Sequence, residues 1–153
     1  RAVFYRGLID HNAAKARFKR SEGADTTGFQ PVIDQLGDFA TKYGDAGSFV
    51  PKAMKMVVNS HGRLGNSKQA AEVVDAMIKS FPQAEETAEA AIDLYKVLLD
   101  RRNTLEAAAA PDPAAIGAVA LDMANALKVS NSIAASPAYA ELRTESKLWI
   151  ELQ

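Results

Sequence analysis

The stretch "LGNSKQAAEVVDAMIKSFPQ", residues 64–83, decides how the chain is to be read. Gly65 and Asn66 open it, Ala70, Val74, Met77 and Ile78 run through it at helical spacing, and Phe81–Pro82 closes it. Asn66 stands in N-cap position with Gln69 three residues on, the capping-box pattern. Pro82 cannot continue the helix. A helix with one apolar stripe must bury that stripe against another element. The question is whether it stands alone or is half of a repeating unit.

Composition favours helices throughout. The chain has 153 residues, 48% hydrophobic and 24% charged, enough to bury a core. Alanine-rich runs such as "AEETAEAAIDL" carry the strongest intrinsic helix former. Alternating β-branched runs that would support strands are few. The expected class is all-α. A net charge of −1 gives no electrostatic footprint for nucleic acid, so no nucleic-acid partner is expected. Zero cysteines exclude disulfides, thiolate catalysis and cysteine zinc sites. No apolar run approaches the roughly 20 residues of a membrane span, so no direct span is expected. The chain opens on Arg1 without a methionine or signal pattern, which predicts a processed or excised piece of a longer protein.

Spacing and punctuation predict about eight helices. The first is "AVFYRGLIDHNAAKARFKR", with Phe4, Leu8, Ile9 and Phe18 as its buried side and His11 on its polar side. The second, "FQPVIDQLGDFATKYG", carries Val32, Ile33, Leu36, Phe39 and Ala40 as its stripe, with Pro31 in the first turn. The third runs from near Val50 and Pro51 to Leu64, and the fourth is the opening stretch. The fifth, "AEETAEAAIDLYKVLLDRR", buries Ala88, Ala91, Ile92, Tyr95 and Leu98 or Leu99, and either runs on through "NTLEAAAA" or breaks at Asn103 and Thr104. Asp112–Pro113 form an Ncap–N1 pair for a helix with Ile116, Ala120, Met123 and Leu127 on one stripe. "SNSIAAS" is the next junction, and Ser136–Pro137 open a last helix with Tyr139, Leu142, Trp149 and Leu152 on one face. The loops most open to proteolysis are 21–28, 44–48 and 130–135.

Residues 51–84 fit one tetratricopeptide frame of about 34 residues. The inter-helix turn falls on Gly65, the small residue where the helices approach on Ala70, and the stop on Pro82. Met54, Val57, His61, Leu64, Val74, Met77 and Ile78 take the packing positions. Val58 and Met77 stand where smaller residues are usual, and His61 replaces the common tyrosine. "LGDFATKYG" ends the second helix as "VVDAMIKSFPQ" ends the fourth, each with an aromatic before the stop. The chain resembles the tetratricopeptide repeat family over about residues 1–102, and the aromatic-stop ending is similar to that of its bacterial envelope branch. The resemblance implies an α-α superhelix, a solenoid of antiparallel helix pairs in one helical-repeat domain over 1–153, with 51–84 the best repeat and 104–153 divergent. It also implies a periplasmic or cell-envelope setting.

Stacked helix pairs leave a groove lined by the first helix of each pair, available to a protein or peptide partner. Lys52, Lys55, Asn59 and Arg63 form one stripe on the third helix, within about 80°. Glu86, Glu89 and Asp93 take the equivalent positions on the fifth. Lys55 and Asn59 match positions where the chaperone-binding branch of the family grips a C-terminal carboxylate, but the acids on the fifth helix would repel one. The plainer reading pairs the two stripes as inter-repeat salt bridges, and the other is a mixed-charge groove that binds a partner segment. The expected function is a non-catalytic interaction or scaffold module; the alternative is a structural subunit of a large multiprotein assembly, packed through its convex face and C-terminal helix.

The run "KARFKR", Lys15–Arg20, admits contact with phosphate or an acidic partner, but cations at a helix C-terminus also suit the macrodipole. Neither His11 nor His61 has a second ligand at metal-binding spacing. "HGRLGNSK" lacks the Walker spacing, and its glycines are explained by the helix turn. No catalytic site, metal or cofactor is expected.

Overall fold

A computed structural model describes residues 1–134, whose regular structure is all helical, with no strand among the described residues. The elements are α1 (Ala2–Arg20), α2 (Phe29–Leu36), the single turn α3 (Phe39–Lys42), a 3₁₀ turn (Gly44–Ala46), α4 (Phe49–Arg63), α5 (Ser67–Ser80), α6 (Glu85–Glu106) and α7 (Pro113–Ala134). Six of them have eight residues or more, against the eight expected from sequence. The last expected helix, with Tyr139, Leu142, Trp149 and Leu152, lies outside the described residues.

Two sequence-level boundaries shift. The second expected helix is broken at Gly37, whose N–H donates to Ile33 O at 2.7 Å; helix resumes at Phe39. Of the two alternatives for the fifth, the helix runs on through Asn103 and Thr104, as far as Glu106, and Arg102 pairs with Glu106 one turn on at 2.8 Å. The expected junction at "SNSIAAS" is helical as far as Ala134, with Ser130 and Ile133 buried.

The helices pack as α1 on α2, α4 on α5 and α6 on α7, and these pairs are joined where α4 packs on α1, α2 and α6. One main core runs through all of them. Phe4, Val32, Leu36, Phe39, Val57, Val58, Val74, Met77, Tyr95, Leu98 and Met123 belong to it. Val58 and Met77, larger than the repeat frame favours, are fully buried in it.

The turn between α4 and α5 follows from Gly65. It takes φ +75, a left-handed conformation that glycine adopts without steric cost. Gly65 N–H donates to Gly62 O at 3.0 Å and Asn66 N–H to His61 O at 2.9 Å, the paired bonds of a Schellman cap. The expected capping box is not formed. Asn66 makes no side-chain cap bond, because its backbone closes the Schellman motif. Asp112 behaves as expected, its carboxylate accepting from Ala114 N at 2.9 Å and Ala115 N at 3.3 Å at the start of α7.

The buried side of α1 is rotated from the expected one. Ile9 is 67% exposed, whereas His11 is only 7% exposed, beside Phe4, Gly7 and Ala14 on the buried face. Small residues turn the helix. A β-carbon on Gly7 would lie 2.7 Å from the Leu36 side chain, and one on Gly28 would lie 2.8 Å from Ala14 Cβ. Such close approach between α1 and α2 draws the small residues inward and leaves the large Ile9 outside.

Candidate functional site

The face shared by α1, α4 and α6 brings together most of the residues singled out by sequence. Lys55 Nζ donates to Glu89 Oε2 at 2.5 Å, with both side chains about one-third exposed (32% and 34%). One turn on, Asn59 Nδ2 donates to Asp93 Oδ2 at 3.2 Å. Two turns further, at the start of α5, Ser67 Oγ accepts from Arg101 at 2.6 Å. Each of these three contacts joins residues 34 apart in the chain. Helices α4 and α6 therefore lie side by side in one register, and Gly62 lets them close up: a β-carbon there would stand 2.3 Å from Val97 Cγ2.

Asn59 also reaches the other way. Its Oδ1 lies 3.1 Å from His11 Nε2. Because the Asn59 amide NH₂ donates to the Asp93 carboxylate, its carbonyl oxygen is the acceptor, and His11 carries the proton on Nε2. The result is a polar chain, His11 to Asn59 to Asp93, crossing α1, α4 and α6. Burial pushes the His11 pKa below its ordinary 6.5; the Asn59 bond and Asp93 act against that, and Lys15 and Lys55 act with it. His61 is also shifted down by burial, with Glu72 opposing.

The remaining stripe residues divide. Lys52 is exposed in the first turn of α4 and Glu86 is half-buried in the first turn of α6; the two form no ion pair. Arg63, in the last turn of α4, holds its guanidinium carbon 4.6 Å from the ring centroid of Phe18 on α1. A cavity of about 250 Å³ runs along the ladder between Lys15, Arg63, Ile92 and Asp93. A larger one of about 640 Å³ adjoins it, sharing Lys15 and Arg63 and extending past Phe18 and Lys19 to Asp100.

The stripes on α4 and α6 were legible from sequence. The contribution of α1 was not: His11 lies 48 residues from Asn59, outside the 34-residue register, and nothing in the local pattern announces the contact. Of the glycines of "HGRLGNSK", Gly65 makes the turn, as expected, whereas Gly62 serves packing against Val97, which was not. Among the described residues no group of three or more His, Asp or Glu side chains is placed to hold a metal ion, and no helix is long and apolar enough to cross a membrane. Comparison with protein-family models, curated proteins and solved structures finds no match to this chain.

Proposed function

We propose that the chain is a tetratricopeptide-like α-α superhelix and serves as a non-catalytic interaction module, taking a segment of a partner protein along the face of α1, α4 and α6. The observation that carries this reading is the 34-residue spacing of the Lys55–Glu89, Asn59–Asp93 and Ser67–Arg101 contacts. That spacing equals the family's repeat length of about 34 residues. It is supported by the Schellman turn at Gly65 and by the pairing of helices in chain order. A solenoid presents an extended surface because neither end closes on the other. Here that surface carries cations and acids on adjacent walls, with the cavities of about 250 and 640 Å³ along it.

One observation favours the alternative, a structural subunit of a larger assembly. Lys55, Asn59, Glu89 and Asp93 spend their polar groups on one another, so part of the stripe is a tie between helices rather than a free recognition surface. The two readings differ in which face a partner covers. Peptides selected from a displayed random library should protect amides of α4 and α6 from hydrogen exchange and leave α5 unchanged. Protection confined to α2, α5 and α7 would remove the groove reading and favour packing through the opposite face.

A further inference from the structure

Once the internal ties are counted, Lys52 is left alone at the start of α4, and three cations gather at the other end of the face. Lys15 and Lys19 stand one turn apart on α1, and Arg63 faces them from the last turn of α4. All three line the cavity of about 640 Å³, and none has an ion-pair partner among the described residues. The macrodipole of α1 accounts for cations in its last turn. That of α4 likewise suits Arg63 in its own last turn, but neither dipole accounts for the two helices bringing their cations to one cavity.

Arg63 is held in a particular way. Its guanidinium carbon sits over the ring of Phe18, which is itself packed edge-on against buried Phe29 at 5.9 Å between centroids. The ring takes up none of the guanidinium N–H donors in a conventional hydrogen bond. A guanidinium fixed on an aromatic ring loses less freedom when it binds, and its fork matches a planar carboxylate with two parallel hydrogen bonds. Lys15 and Lys19 add positive potential beside it, and the Phe18 ring supplies apolar contact for an aliphatic stem. Glu22 and Asp100, also on the cavity wall, bring the lining to three cations against two acids.

We propose that Arg63, seated on Phe18 and flanked by Lys15 and Lys19, is the recognition point for an acidic side chain of a partner peptide. This rests on the groove reading and gives it a partner chemistry: a segment bearing Asp or Glu, its carboxylate on the Arg63 fork. The site lies one turn beyond Asn59, and Lys55 and Asn59 remain tied to α6. Asp100 opposes the ligand's charge from the facing wall and sets how strongly an acid is held.

The test is fluorescence anisotropy with labelled hexaglutamate and hexalysine peptides on the intact chain. Hexaglutamate should bind and hexalysine should not. Arg63→Lys keeps the charge and loses the fork, and should weaken hexaglutamate binding about tenfold, the worth of a charge-assisted hydrogen bond. Lys15→Gln/Lys19→Gln should weaken it as well, and Asp100→Asn should tighten it. Lys79→Gln, on α5, should leave it unchanged. Equal binding by wild type and Arg63→Lys overturns the pocket, as does failure of hexaglutamate to bind. If library-selected peptides still protect α4 and α6 in either case, the groove reading stands and only its proposed chemistry falls.

Discussion

The seam between α4 and α6 and the seam between α1 and its neighbours join helices by different means. At the first, two polar contacts recur at one spacing of 34 residues, a third at the same spacing continues them from α6 to the start of α5, and Gly62 admits Val97 between them. At the second, the hydrogen bond from α1 to α4 spans 48 residues, and packing relies on Gly7 against Leu36, Gly28 against Ala14, and a cluster of rings around Phe4, Phe39 and Phe49. A regular ladder tolerates the loss of one rung. Close approach through small residues does not tolerate a larger one. The two seams should therefore fail differently.

The largest expected loss is at the α1 seam. Phe29→Ala removes a fully buried ring that touches both His11 and Phe18, and should cost about 3–5 kcal/mol in chemical denaturation. Hydrogen exchange should quicken first in α1, with α6 the last to follow. At the α4–α6 seam, Gly62→Ala should cost about 1–3 kcal/mol from overpacking against Val97, reduced by the roughly 1 kcal/mol helix preference of alanine over glycine. Val97→Ala in the same chain should recover most of that loss. If the double variant is no better than the single, the close approach is not what Gly62 is for.

Asn59→Ala tests the residue common to both seams. It leaves His11 and Asp93 without their shared partner, which should cost about 1–3 kcal/mol. Lys55→Met should cost only about 0–1 kcal/mol, since its ion pair with Glu89 is one-third exposed and screened by solvent. A result in the reverse order would make the ladder, rather than the His11 chain, the principal tie.

Effects of comparable size are those of pH and of a single backbone angle. His11 is held neutral by burial, with its folded pKa below 6.5, so the unfolded chain binds more protons in the window between the two values. Stability should rise with pH through that window and level off above about 6.5, and be lost as pH falls through the folded value. His61 acts in the same direction, so His11→Gln should flatten the slope without abolishing it. Glu22 takes φ 52 at the end of α1, where Gly23 N–H reaches back to Phe18 O at 2.8 Å. Glu22→Gly should stabilise by about 1 kcal/mol, read as a higher midpoint in urea.

The contrast between the seams also explains what was legible in advance. Helix punctuation is local chemistry, so Gly65, Pro82 and Asp112–Pro113 could be placed from their neighbours alone. The stripes of α4 and α6 were readable because opposite charges recur at a fixed spacing. The phase of α1 was not readable, because apolar size pointed to Ile9 whereas the helix turns on Gly7 and Ala14, whose value lies in the space they leave. His11 was misplaced for the same reason: it is polar, beside Asp10, and buried only because small neighbours bring α2 and α4 close.

The Schellman turn at Gly65 has a kinetic consequence. It reverses the chain between Arg63 and Ser67, so α4 and α5 can meet after closing almost no loop, and only four residues separate α5 from α6. Contacts so near in sequence form at little entropic cost and favour rapid folding. Helix α1 reaches Asn59 only after the intervening 48-residue stretch has been gathered in. The segment from α4 to α6 should thus condense first, with α1 docking onto a surface already made. The same order in reverse makes α1 the first helix to leave when the fold is strained.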